Sequence, residues 1–231
     1  MTNTSRLSEL EKLMAAEARA VELFEEIERR QLITPGITEM QLNRAIFDLA
    51  FELQGIRTFW HKRIVRAGKN TLLPYAENPP DLVLRENEIL FLDFGPVYED
   101  WEADLGRTYV LGNDPKMVQL KNDTDRLWKE GVDYFQTNYE NLTGADFYAY
   151  TCELANENGR EFGNIHCGHL IGNFPHEKLS GEDKRNYLHP ANFDPVSLPD
   201  LAGRRRFWIY EMHLIDKEHE IGAFVEGIIP C

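Results

Sequence analysis

The chain has 231 residues and a formal net charge of −14, with 42% hydrophobic and 28% charged residues. That size and balance describe a soluble globular protein with room for a sizeable core, and the negative charge argues against nucleic acid or an anionic membrane surface as main partners. No apolar run approaches the roughly 20 residues of a membrane span, and the polar N-terminus lacks a signal-peptide core, so a cytoplasmic protein is expected. Cys152, Cys167 and Cys231 are too few and too scattered for a disulfide framework or a cysteine-based metal site.

Leu7 to Gln31 is predicted to form a long amphipathic helix. Leu10, Leu13, Met14, Ala18, Val21, Phe24 and Ile27 recur at three- and four-residue steps, and Ser8 with Glu11 has the capping-box pattern. A turn at Ile33-Thr34-Pro35-Gly36 leads to a second helix, opened by Thr38 with Gln41 and stopped by Gly55. Thr58 to Ala67 reads as a strand, Gly68 to Asn70 as a turn, and Thr71 to Tyr75 as a candidate return strand. Asn113-Asp114-Pro115 begins a third helix reaching about Tyr139, and Thr143 caps a fourth that Asn158-Gly159 ends. Strands are predicted near 164–172, 207–215 and 221–229, with a Pro-, Asn- and Asp-rich loop over 178–203. Helices grouped with antiparallel hairpins indicate the α+β class rather than alternating βαβ units. No composition break marks a linker, so one domain over 1–231 is expected.

The stretch from Glu88 to Leu111 organises the rest. It reads as two strands and a tight connection, with Asp93 in the first strand and Asp104 in the second. A turn centred on Tyr98 and Glu99 would set Asp93 directly opposite Asp104, on the same face of the sheet. Two adjacent carboxylates in apolar strands repel each other and lose solvation. A shared proton, a cation from another strand or a bound metal would offset that cost. Glu211 and Glu226 are further acids inside apolar strands, and His166, His169 and His176 fall within eleven residues. Four carboxylates match the charge of two divalent ions. Oxygen ligands with one or two imidazoles favour Mn²⁺, Fe²⁺, Co²⁺ or Zn²⁺.

In this pattern the chain resembles the pita-bread metallopeptidases: methionine aminopeptidase, aminopeptidase P, prolidase and creatinase. That family's ligands run Asp, Asp, His, Glu, Glu, with the aspartates eleven residues apart, as Asp93 and Asp104 are. Arg107-Thr108 follows the second aspartate as in the family. Cys167-Gly168-His169 with His176-Glu177 resembles methionine aminopeptidase, whereas Ala67-Gly68-x-Asn70 with Tyr75-x-Glu77-Asn78 resembles aminopeptidase P and prolidase. The resemblance implies a pita-bread α+β fold and a dinuclear hydrolase of Xaa-Pro aminopeptidase or dipeptidase type. It implies two divalent ions, Mn first and Co, Fe or Zn next, on Asp93, Asp104, His169, Glu211 and Glu226, with Asp104 and Glu226 bridging. Glu211 would also handle the proton of the attacking water, and His176 would hydrogen-bond the substrate carbonyl or oxyanion. Arg107 and Thr108 would stand behind the ligands. The implied substrate is a small peptide or small-molecule amide, and a homodimer is among the assemblies open to the chain.

Three departures bear on substrate. Pro74 stands where aminopeptidase P and its relatives carry a substrate-contacting histidine, and His61, one strand earlier, is the candidate to reach the same pocket. Glu211 is followed by Met212-His213 rather than by Pro, which makes His213 a candidate site residue. No counterpart of the N-terminal domain of aminopeptidase P, prolidase and creatinase is present in the chain. These departures keep two alternatives open: a creatinase-like enzyme acting on a non-peptide small molecule, and a non-catalytic pita-bread binding protein. His166 is expected behind the ligands or in a structural role, and His189, His219 and Arg204-Arg205-Arg206 at the surface.

Overall fold

Ser8 caps the first helix, α1 (Glu9–Arg29): its side chain accepts from the Glu11 amide while the Glu11 carboxylate accepts from the Ser8 amide. The computed structural model describes residues 8–175, 183–200 and 203–231. The buried face of α1 is Leu13, Ala16, Ala20, Leu23, Phe24 and Ile27, whereas Met14 and Ala18 face solvent. The contact line therefore runs through two small alanines that a count of large apolar residues passes over. α2 (Glu39–Gln54) has the expected Thr38–Gln41 box and ends at Gly55, whose φ of 71° is left-handed.

The strand expected over Thr58 to Ala67 is shorter, β1 (Ile64–Ala67). Upstream of it, residues 61–63 break the ladder, and the chain pairs again in a register shifted by two, Phe59 opposite Pro96, with Trp60 N donating to Gly95 O and Val97 N donating to Thr58 O. The expected return strand over Thr71 to Tyr75 is absent, because Gly68–Leu72 closes into a short 3₁₀ turn. Next come β2 (Glu88–Phe94), β3 (Val97–Tyr98), β4 (Trp101–Glu102) and β5 (Leu105–Leu111). Helices α3 (Pro115–Asn138) and α4 (Gly144–Glu157) follow, capped by Asp114 and Thr143. The chain ends with β6 (Glu161–Phe162), β7 (Gly168–Ile171), β8 (Phe207–Asp216) and β9 (Ile221–Ile228).

One antiparallel sheet runs β1-β2-β5-β9-β8-β6, and β7 also pairs with β8. The register of the β2–β5 hairpin corrects the expected one. Asp93 lies opposite Gly106, not Asp104, and the turn falls on Glu99 and Asp100, with φ of 50° and 69°. Positive φ at both central residues is the geometry of a tight two-residue hairpin turn. The offset is two residues, so every side chain keeps its face.

The two faces of the sheet sort by residue parity. Leu90, Leu92 and Phe94 pack with α1 and α2, and Trp208, Tyr210, Met212 and Leu214 pack with α3 and α4. Strand neighbours at the intervening positions, among them Phe91, Asp93, Glu211, His213, Phe224 and Glu226, project to the other face. Among the described residues, no helix is long and apolar enough to cross a membrane.

Candidate metal centre

A single crosswise row of the sheet carries the acids. Ile64 pairs with Asp93, Asp93 with Gly106, Gly106 with Glu226, and Glu226 with Glu211. Directly opposed residues share a face, so Asp93, Glu226 and Glu211 converge. Gly106 keeps the row open, since a Cβ there would lie 2.6 Å from the Phe224 ring and 3.1 Å from Glu226 Cγ. Asp104 precedes Gly106 by two and points the same way. His169 pairs with Ile209, two residues from Glu211, and joins from the far side.

Asp104 is the hub of this cluster. Its Oδ1 lies 3.0 Å from His61 Nε2 and its Oδ2 lies 3.1 Å from His169 Nε2. His61 Nε2 is also 3.5 Å from Asp93 Oδ1, and His169 Nε2 is 3.6 Å from Glu211 Oε1. Asn164 Nδ2 donates to Glu211 Oε2 at 3.1 Å, and His166 Nδ1 stands 3.5 Å from Glu211 Oε1. Exposure is 7% for Asp93, 2% for Asp104, 5% for Glu211 and 3% for Glu226. These are four carboxylates almost out of water.

Burial pushes the Asp93 carboxyl up to about 6, with Asp104 adding to the push and His61 opposing it. Burial likewise pushes Glu211 up to about 7, and burial with the charges of Asp104, Asp93 and Glu211 puts Glu226 well above the usual carboxylate range. Asp104 goes the other way. Burial would raise it, but His61 and His169, one on each oxygen, hold it below its ordinary value. Both imidazoles are raised to about 9, because the carboxylates outweigh the effect of burial. Without an ion the cluster is balanced by protons, on the two rings and on the raised carboxyls, Glu226 above all.

Divalent cations fit this donor set. Asp93 Oδ1 and Glu226 Oε1 are buried without a hydrogen bond, an expensive state for a carboxylate oxygen unless a cation meets it. Ligand-type atoms of His61, Asp93 and Asp104 lie within 4.8 Å of one another, as do those of Asp104, His169 and Glu226. Hard oxygens with imidazole nitrogen suit the divalent metals from manganese to zinc.

The remaining sequence candidates take definite places. His61 stands between the two aspartates. His213 lines the cavity but turns from the acids: its Nε2 donates to Thr71 O at 2.8 Å, and burial lowers it to about 4, so the ring is neutral. His166 precedes β7, so strand alternation does not govern it, and it faces Glu211 from the loop. Thr108 Oγ1 donates to Phe224 O and accepts from Phe224 N, both at 2.7 Å, and Arg107 Nη1 donates to Glu226 O at 3.1 Å. These two tie the backbone behind Glu226. His176 lies outside the described residues. Asn164, Trp60 and Gly95 are not legible as site residues, for a loop amide, an aromatic and a glycine between two strands carry no spacing signal of their own.

A cavity of about 610 Å³ opens over the acids, with Ile64, Leu73, Pro74, Tyr75, Phe91 and Phe224 among its walls. Residues 11–195 match the model of metallopeptidase family M24. The chain belongs to this family. Its fold is the pita-bread fold of the M24 proteins. The chain is 24% identical, over 90% of its length, to a "Putative Xaa-Pro aminopeptidase" of Mycoplasma genitalium, and covers 61% of that protein. A protein of the same name from Mycoplasma pneumoniae is 25% identical, with 60% of it covered. The chain therefore spans about three fifths of the length of these curated relatives. In three dimensions it superposes on an Xaa-Pro dipeptidase from Bacillus anthracis with a TM-score of 0.74 at 23% identity, covering 96% of this chain and 57% of that one. Methionine aminopeptidase from Thermotoga maritima gives a TM-score of 0.68 at 17% identity, covering 99% of this chain and 94% of that one.

Proposed function

We propose that this M24 chain hydrolyses a peptide C–N bond at a two-metal centre, in the manner of an Xaa-Pro aminopeptidase or dipeptidase. The observation that carries the reading is the convergence of three buried carboxylates and His169 around Asp104, itself buried, at the floor of a cavity large enough for a short peptide. Asp93, Asp104, His169, Glu211 and Glu226 would hold two divalent ions, manganese first among the candidates. Ions bound there supply Lewis acidity and lower the pKa of a water.

The chain's own residues do the rest. By the family resemblance, Asp104 and Glu226 would be the carboxylates shared between the ions. Glu211, anchored by Asn164, is placed to take a proton from the attacking water and return it to the leaving nitrogen. His176 is assigned the substrate oxyanion by family resemblance. The apolar wall of Ile64, Phe91 and Phe224 suits a compact, ring-like side chain such as proline. Names of the relatives support the same class.

One observation favours a second reading. Pro74 lines the cavity where the family carries a histidine that contacts substrate. A creatinase-like activity on a non-peptide amide follows if that contact defines the peptidases. The test is product release, read by mass spectrometry, from Mn²⁺-loaded protein offered Xaa-Pro dipeptides, Xaa-Pro-Xaa tripeptides, Met-initiated peptides and creatine-like amides, with Asp93→Ala as background. Cleavage before proline is expected. Turnover of the amides alone would replace the peptidase reading with the creatinase-like one.

A further inference from the structure

We infer that His61 is itself a metal ligand, closing with Asp93 and Asp104 a triad that mirrors the one His169 makes around the other oxygen of Asp104. The inference rests on the two-metal reading above and adds a residue to it.

Geometry is the first support. Donors held about 2.1 Å from a common ion lie about 3.0 Å apart at right angles and about 3.4 Å apart at tetrahedral angles. His61 Nε2 lies 3.0 Å from Asp104 Oδ1 and 3.5 Å from Asp93 Oδ1, the spacing of a coordination edge. Asp93 Oδ1 has no hydrogen bond, so a shared ion would supply what it lacks.

Orientation is the second. Both histidines are tethered alike, His61 Nδ1 to Lys62 O and His169 Nδ1 to Leu170 O, each at 2.8 Å. A carbonyl can only accept, so Nδ1 carries a hydrogen, and Nε2 is the nitrogen aimed at the aspartates, where an ion would replace the proton held there in the metal-free chain. Metal-bound histidines are oriented by this kind of tether. Asp104 gives one oxygen to each ring, as a bridging carboxylate with one imidazole per ion would.

Room is the third. A Cβ at Gly95 would lie 2.2 Å from His61 Cδ2 and 2.4 Å from its Nε2, so glycine alone lets the imidazole reach the aspartates. Trp60 closes the other side, its ring 4.5 Å from that of His61 and 5.3 Å from that of His169, fixed by Nε1 donating to Ala103 O at 2.9 Å. His61 is thus seated in a built slot. A second nitrogen donor also shifts metal preference away from Mn²⁺ toward Co²⁺ and Zn²⁺.

The experiment uses metal-stripped full chain titrated with Co²⁺, with ions counted by mass spectrometry and affinities taken by calorimetry. The parent is expected to bind two ions. His61→Ala should keep one and weaken the other at least about tenfold, with His169→Ala as the reference for losing an imidazole. X-ray absorption at the cobalt edge of the two-cobalt parent should count an average of one imidazole per ion, which needs no variant and stands if His61→Ala fails to fold. An average of one half, or unchanged affinities in a folded His61→Ala, would overturn the inference while leaving the two-metal reading intact. A parent that binds no Co²⁺ would overturn both.

Discussion

Glu226 shows at the scale of one residue why this cluster is not a stability device. Burial and three neighbouring carboxylates raise its pKa well above the ordinary value of 4.5. A carboxyl whose folded pKa exceeds its unfolded one must hold a proton to fold without loss. Stability is therefore unaffected below about 4.5 and falls as pH rises above it. Glutamine has the shape of the protonated acid and does not titrate. Metal-free Glu226→Gln should match the parent near pH 4 and exceed it at pH 8 by on the order of 1 kcal/mol, about 2–4 °C in Tm for a chain this size. The same variant should lose at least one bound ion. Thermal unfolding with chelator across that pH range checks the sign, and a variant no more stable than the parent at pH 8 would refute it. Glu226 is legible in the sequence only in company: one acid in an apolar strand has several structural explanations, whereas four of them with a histidine cluster are more economically explained by shared cations. Asn164, which grips Glu211, was not readable, because a loop asparagine reaches its partner only once β8 is in place.

The hairpin between β2 and β5 separates what strand patterns determine from what they leave open. The expected opposition of Asp93 and Asp104 put both on one face, and the observed register keeps them there because alternation has a period of two. Alternation is blind to a shift of two, so the offset had to come from the turn. That turn uses Glu99 and Asp100 at φ of 50° and 69°, where asparagine and glycine are the usual signals. Acidic residues there gave no cue, and the expected register missed by two. They also cost stability, roughly 1 kcal/mol for a non-glycine residue in the left-handed region. The Arg19–Glu99 ion pair returns little of that, with Glu99 89% exposed. Replacing Glu99 by Asn together with Asp100 by Gly should raise stability by about 1 kcal/mol and leave the number of bound ions unchanged. Calorimetric unfolding with a metal count tests both halves, and a changed count would show that the turn sequence sets more than register.

Across the whole molecule the acids straddle a seam. The α1–α2 layer and β1, β2 and β5 make one half; the α3–α4 layer with β6 to β9 makes the other, each with its own core. β5 meets β9 at the pair Gly106 and Glu226, where the full ladders of the neighbouring hairpins give way to side-chain stitching by Thr108 and Arg107. Asp93 and Asp104 come from the first half, and His169, Glu211 and Glu226 from the second. Ions shared among them would cross-link the halves where backbone pairing is thinnest. Each site filled at a hundredfold its Kd contributes about 2.7 kcal/mol to stability, or about 5–10 °C in Tm. The gain should also be local. Hydrogen exchange should slow most at the amides of β5 and β9 when Mn²⁺ is added, with little change in the buried face of α1. Uniform slowing across the chain would mean that the ions stabilise the fold as a whole and that the seam is no weaker than the rest. Slowing confined to β8 and β9 would mean that the metal is held within the second half alone, and that Asp93 and Asp104 do not share it.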